Sequence, residues 1–352
     1  MKKINDTLKK ITELNYNLME KAQDNLDNLT KPLGSLGRLE ELAKLVVGIT
    51  GRERPSIKNK VIFTLAADHG VTAEGISAYP KEVTSQMVYN FLNTGAGINV
   101  LARHAGIRVV VVDIGVACDL KPDPKLVVKK INYGTQNMAK SAAMTRDEAV
   151  KSIETGIDIF EEEFARGIDI VGTGEMGIGN TSASSAITAC FTNVAIEDIT
   201  GKGAGLDDKG LLGKIKVIEK SLALNSPDAN DPIDVLAKVG GFEIGGIAGI
   251  ILAAAAKKVP IVIDGFISGA GALVAYKIEP KVKEYMVASH CSVESGHKII
   301  LEHIGLKPLL DLNLRLGEGT GAALGINLVE AAVKILTEMA TFKSANVSER
   351  IG

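Results

Sequence analysis

One recurring unit constrains this chain more than any other feature. A short, uninterrupted apolar run ends in an acid or a glycine-rich turn, and a stretch with helical periodicity follows. The runs fall at 61–66, 109–112, 168–172 and 259–263, with a fifth candidate at 282–288. Strands that are apolar on both sides are covered on both faces, so the alternation predicts an α/β fold with a parallel sheet between helices. Helical patterning covers 83–101, 145–166, 182–191, 211–222, 242–256, 269–276 and 316–342. In such sheets ligands bind beyond the carboxyl ends of the strands. Asp68, Asp113, Glu175 and Asp264 each follow a predicted strand. They predict a polar crevice along one sheet edge, with some of them serving as helix caps.

The first 50 residues carry no strand signal. Ile4, Leu8, Ile11, Leu14 and Leu18 recur at about the helical period, Thr30 to Gly34 break it, and Leu36 to Val47 restart it. A chain of 352 residues is long for one core and suits a large domain with a smaller one. Cys118, Cys190 and Cys291 form no C-x-x-C pair, which fits a reducing compartment. The polar N-terminus has no apolar signal region, so the expected location is the cytoplasm. The most apolar run, 247–256, is half the ~20 residues of a membrane span, so no membrane association is expected. A net charge of −2, no basic run and no Trp argue against a nucleic-acid partner.

Three glycine-rich segments carry the chemistry. Gly172, Gly174 and Gly177 formally satisfy G-x-G-x-x-G, with Glu197 or Asp198 about 20 residues on. That pattern supports a dinucleotide-dependent oxidoreductase as the competing function. Glu175 inside the cradle would repel a pyrophosphate, however, and a single phosphate at the helix start beyond Gly179 is easier to hold. The segment 201–208 is a second such loop, without a P-loop pattern. Its amides can form an anion nest, with Lys202 and Lys214 adding charge, or it is a loop ending in an Asp cap. In the third, Gly317 and Gly319 flank Glu318. A partly desolvated carboxylate there has a raised pKa and is a competent general base; the alternative is an acid placed for a helix dipole. His69, His290 and His297 lack the spacing of a zinc site, and no G-x-S-x-G elbow is present. They read as hydrogen-bonding or structural histidines.

The set of motifs then resembles a known family. Lys31-Pro-Leu-Gly-Ser-Leu-Gly37, Ala67-Asp-His-Gly-Val71, Ser77-Ala-Tyr-Pro80 leading to Gln86 and Met87, Gly174-Glu-Met-Gly-Ile-Gly-Asn-Thr-Ser182, Thr200-Gly-Lys-Gly-Ala-Gly205, Asp264-Gly-Phe-Ile-Ser-Gly-Ala270, Ser289-His-Cys-Ser292 and Leu316-Gly-Glu-Gly-Thr-Gly321 occur in order. Together they resemble nicotinate-nucleotide:dimethylbenzimidazole phosphoribosyltransferases over nearly the whole chain.

The resemblance implies a parallel Rossmann-like sheet flanked by helices in a large domain, 56–324, and a small helical domain from both ends, 1–55 and 325–352. It implies displacement of nicotinate from nicotinate mononucleotide by an aromatic base, with inversion at C1′, giving the α-riboside 5′-phosphate used for the lower ligand of cobalamin. Dimethylbenzimidazole is the default acceptor; relatives also use purines or phenols. Glu318 matches the catalytic glutamate and Glu175 a second one. Gly174, Met176, Gly177, Ile178, Gly179, Gly203, Gly205, Lys214 and Ser292 match the nucleotide site. Ser77, Tyr79, Gln86, Met87 and Leu316 match the acceptor pocket. The leaving group is already a pyridinium, so no general acid is needed, and no pyrophosphate leaves, so no metal or cofactor is expected. A homodimer, or a dimer with a homologous chain, is implied. A nucleotide-binding subunit without turnover is the remaining alternative.

Overall fold

The computed structural model describes residues 1–348 apart from Ala204. Its centre is one all-parallel sheet of six strands: β1 (Lys60–Ala67), β2 (Arg108–Gly115), β3 (Leu126–Val128), β4 (Ile170–Met176), β5 (Ile261–Ile263) and β6 (Met286–Ala288). The spatial order is β3-β2-β1-β4-β5-β6, the doubly wound Rossmann arrangement. Successive side chains on a strand point to opposite faces, and here both faces are buried. Phe63, Leu65, Val112 and Val171 enter one core with the helices Arg146–Phe164, Asn180–Thr192, Phe242–Ala256 and Phe266–Ile278. Ile62, Ala66, Val111, Ile170 and Val262 enter a second with the helices Arg38–Thr50, Val83–Leu92, Gly97–Ala105 and Thr320–Glu338. The alternation of apolar runs and helices is thus the fold itself.

The segments at the two chain ends meet. Helices Tyr16–Asp27 and Arg38–Thr50 pack on each other and on Thr320–Glu338, and Leu29 bridges to Thr341. The helix Thr320–Glu338 is apolar enough to cross a bilayer by composition, yet Ala322, Ile326, Val329 and Val333 are buried against the sheet and its neighbours.

Several elements differ from the sequence reading. The period over residues 4–18 is broken between the helices Lys2–Leu8 and Tyr16–Asp27 by the non-helical residues 9–15. β4 runs on to Met176, so Gly172 and Gly174 lie in a strand and not in a turn. The helix expected at 83–101 is two helices, broken where Thr94 takes φ 61 beside Gly95. Of 282–288, only Met286–Ala288 is strand; Pro280–Tyr285 is a 3-10 turn, started by a proline that pre-sets φ. β3 is missing from the sequence reading, being an apolar run of only three residues, Leu126–Val128, at the sheet edge after a Pro- and Asp-containing loop.

Small residues set the closest helix contact. A Cβ on Gly249 would collide with the backbone carbonyl of Ile153, and one on Gly156 with that of Gly246. The two helices therefore touch backbone to backbone across the face covering β1. Gly249→Ala gains helix propensity but overpacks this crossing, and should destabilise the protein by about 1–3 kcal/mol net. Thermal melting checks this: a midpoint equal to or above that of the native chain would contradict it.

Candidate active site

β1 is hydrogen-bonded to β2 on one side and to β4 on the other, so the chain leaves its carboxyl end at the point where strand order reverses. Connections depart to opposite sides there and leave a crevice. A cavity of about 640 Å³ occupies that position. Met176, Gly177, Ile178 and Gly179 line it from the end of β4, with Glu175 above the strand. Gly203, Lys214 and Ser292 line it, as do Ser77, Tyr79, Met87, Leu316 and Glu318. Ile76, Val83 and Met87 give this wall an apolar character beside the exposed Leu316 and Tyr79.

Three expected site residues lie outside the cavity lining. Gln86 is exposed, because Val83 and Met87, four residues apart, present the cavity-facing side of their helix. Gly205 has open space around it in the loop before the helix Asp208–Asn225. Gly174 lies inside β4 beneath the Glu318–Gly319 peptide; a Cβ there would collide with Glu318 O.

Glu318 sits in an unusual backbone. Gly317, Glu318 and Gly319 have φ of 83°, 64° and 100°, three consecutive residues in the left-handed region. Glycine tolerates this and glutamate does not, so the surroundings must hold Glu318 there. The Thr64 hydroxyl donates to Glu318 O at 3.0 Å. The amide of Ile98, in the first turn of Gly97–Ala105, donates to Glu318 Oε2 at 3.0 Å. The carboxylate therefore does meet a helix N-terminus, though of a helix remote in sequence. Burial raises the Glu318 pKa; the Ile98 amide opposes it, and the Asp264 charge adds to the rise.

Glu175 is packed against Gly317 and accepts a hydrogen bond from the Asn180 side chain. Burial, then the charges of Glu243 and Asp264, push it up to about 8. It is the one strand-end acid of the four that lines the cavity. Asp113 is paired with Lys130 at 2.9 Å and Asp68 accepts from the Ala117 amide at 2.8 Å. Asp264 accepts from the amides of Gly319 at 3.1 Å and Ala322 at 3.0 Å. Of the four expected acids Glu175 lines the cavity, joined there by Glu318 and Glu294, while the other three are occupied holding loops.

The opposite chemistry gathers around Lys214. Its ammonium donates to Thr181 Oγ1 at 2.8 Å and to Gly201 O at 3.2 Å. Burial pushes its pKa down to about 8, with Glu294 opposing. Thr181 stands in the first turn of Asn180–Thr192, whose N-cap Gly179 has no side chain to cap it. Amides at a helix start, a nearby ammonium and the Gly203 turn form an anion site. Arg315 donates to Gly203 O at 3.1 Å, tying the loop that carries Glu318 to this side.

The histidines are internal partners. His69 lies 2.5 Å from buried Glu243; burial alone would lower its pKa, but Glu243 leaves it raised. His297 accepts from the Ser292 amide at 3.0 Å, and burial pushes it down to about 3, so it is neutral. His290 lines the cavity 3.9 Å from Asp264 Oδ1. The dinucleotide fingerprint loses its geometry, since Gly172 and Gly174 are strand residues. Asn180, Thr181, Glu294 and Arg315 also line the cavity and were not singled out from sequence. Only Asn180 and Thr181 carried a signal, as the first polar residues after a glycine turn.

Comparison with known proteins agrees with this geometry. The family described as Phosphoribosyltransferase (DBI_PRT) matches residues 11–347. A nicotinate-nucleotide–dimethylbenzimidazole phosphoribosyltransferase of Geobacter sulfurreducens is 58% identical over 346 residues, covering 98% of each chain. One from Desulforudis audaxviator is 56% identical over 97% of each. The crystal structure of the corresponding protein from Thermus thermophilus superposes with a TM-score of 0.90 at 43% identity, over 95% of this chain and 99% of that one. A full-length match at this identity, with the same fold, means that the chain belongs to the nicotinate-nucleotide–dimethylbenzimidazole phosphoribosyltransferase family and is a transferase.

Proposed function

We propose that this chain moves the 5-phosphoribosyl group of nicotinate mononucleotide onto a ring nitrogen of a dimethylbenzimidazole-type base, as a step in making the lower ligand of cobalamin. The observation that carries the reading is one cavity that brings the Glu318 and Glu175 carboxylates together with the Lys214 anion site. Nicotinate mononucleotide has a phosphate for one side and a cationic pyridinium riboside for the other.

The chemistry follows from the charges. The acceptor nitrogen lone pair attacks C1′ from the face opposite the leaving group, and the C1′–pyridinium bond breaks with its electron pair returning to the pyridine nitrogen. C1′ is inverted. The second ring nitrogen of the acceptor becomes acidic as the first bonds, and Glu318 takes its proton. Oε2 is held by the Ile98 amide, which leaves Oε1 for that proton. The adjoining Leu316, Met87 and Val83 suit a flat apolar base. Glu175 lies where negative charge stabilises an oxocarbenium-like transition state. The cationic substrate draws its proton off, since an opposite charge favours the ionised carboxylate. The phosphate rests on Lys214, Gly203 and the start of Asn180–Thr192.

Glu318→Gln should lower kcat by about 10²–10⁴-fold while nucleotide affinity stays within about threefold. Nicotinate release from nicotinate mononucleotide and dimethylbenzimidazole, followed by chromatography, measures it; undiminished turnover would remove Glu318 as the base. In the native protein the acid limb of kcat/KM should lie above the ordinary glutamate range of about 4.3, because activity is lost as pH falls through the raised pKa of Glu318. A limb at or below that range would contradict the assignment.

Glu175 gives a stability prediction of opposite sense. Its folded pKa is raised, so between about 4.5 and 8 the folded state binds more protons than the unfolded one. Stability therefore falls as pH rises through that window. Glu175→Gln should raise the melting temperature of the unliganded protein by a few degrees at pH 8 and by much less at pH 5, while turnover drops. A melting difference independent of pH would show that Glu175 carries no such penalty.

A further inference from the structure

The three left-handed residues around Glu318 need an external restraint, and the structure places two side chains on them that never reach the cavity. Thr64 pairs with Gly174 across the β1–β4 ladder. The Glu318–Gly319 peptide lies over that pair, with Gly174 leaving the space it fills. The Thr64 hydroxyl holds the peptide carbonyl at 3.0 Å, and Asp264 Oδ2 holds the following amide, that of Gly319, at 3.1 Å. Asp264 Oδ1 accepts the Ala322 amide one turn further on, at 3.0 Å. One peptide unit is thereby gripped at both its polar atoms, from within β1 and from the residue just after β5.

We infer that Thr64 and Asp264 are a positioning clamp that fixes the direction in which the Glu318 carboxylate points by holding the peptide that follows it. Both are buried, at 0% and 1% exposure, and neither lines the cavity, so neither touches substrate. The Thr64 hydroxyl has its hydrogen bond to Glu318 O and no other side-chain role. Asp264 stands beyond hydrogen-bond reach of cavity-lining His290, at 3.9 Å. Its two carboxylate oxygens serve the Glu318 turn and the start of the helix behind it. Gly319, the N-cap of Thr320–Glu338, has no side chain, so Asp264 also supplies the cap from outside. With Oε2 anchored on the Ile98 amide, the clamp and that anchor define where Oε1 lies. A reacting group held this way loses much of its rate when displaced by about 1 Å.

This inference rests on the reading of Glu318 as the base, and the test separates the two. Asp264→Asn keeps the shape but sets an NH₂ against an amide donor; Thr64→Val keeps the shape and removes the hydroxyl. Each should lower kcat by on the order of 10–100-fold. The KM for nicotinate mononucleotide should stay within about threefold of the native value, because the anion site is untouched. Placed on top of Glu318→Gln, each should cost less than about threefold more, since a clamp without its base has nothing to aim. Native kcat in both variants would overturn the clamp, as would a loss that multiplies fully with Glu318→Gln, or a KM that rises in step with the fall in kcat. Should Asp264→Asn melt below the assay temperature, Thr64→Val alone decides on the same criteria. If Glu318→Gln itself turns over normally, it is the base reading that fails; if it is inactive while both clamp variants are native-like, only the clamp fails.

Discussion

The pairing of β1 with β4 is the contact on which the rest of the site depends. The two strands are about a hundred residues apart in sequence, and their adjacency creates the reversal of strand order. At that junction Thr64 lies beside Gly174, and the missing side chain at Gly174 admits the Glu318 peptide onto the sheet. One residue further along, Leu65 lies beside Glu175, which brings the second acid to the same height. A register slip of one residue would send Glu175 to the opposite face and put a Cβ under Glu318. The position of both carboxylates is therefore a property of strand register before it is a property of any loop.

That arrangement has an electrostatic cost. Glu175, Glu243, Asp264 and Glu318 are all buried, and the raised pKa values of Glu175 and Glu318 follow first from burial and then from their neighbours' charge. Asp264 is partly relieved by the amides it accepts, and Glu243 by His69. Glu175 has only the Asn180 amide group. Cationic partners are found where acids serve structure, as in Lys31 with Glu40 at 2.8 Å and Lys130 with Asp113 at 2.9 Å. Glu175 and Glu318 have no such partner among the described residues, which leaves their charge for a ligand to meet. Protein stability and the role proposed for Glu175, stabilising a cationic sugar, pull in opposite directions.

Much of this was legible in the chain. Continuous apolar runs announced the strands, and Glu318 between two glycines announced a residue with no packing purpose. What stayed hidden depended on partners remote in sequence. Gly174 looked like part of a phosphate loop because a glycine in a strand and a glycine in a turn are the same letter; only the Glu318 peptide lying on it explains it. Asp264, Asp68 and Asp113 looked alike after their strands, and differ in what each loop asks them to hold. Gln86 missed the cavity by one residue on its helix, an angular error of about 100° that sequence spacing alone does not resolve. β3 was missed because its apolar run, Leu126–Val128, is only three residues long, too short to tell from a loop.

Lys214 and Glu175 complete one another across the cavity. Burial pushes the lysine down and the glutamate up, each to about 8. Near neutral pH the empty site thus holds both in mixed protonation, each bearing less charge than its type usually does. The proposed nucleotide carries the two counter-charges in one molecule, a phosphate and a pyridinium. The phosphate favours the protonated lysine, and the pyridinium favours the ionised glutamate. Charging the site around its ligand then consists mainly of Glu175 giving up its proton, while Lys214 keeps the one it holds. A neutral ribonucleotide base would repair only the lysine half. Under the proposed function, a cationic leaving group is the counter-charge that the unpaired state of Glu175 calls for, and binding of that substrate would offset the cost that burial placed there.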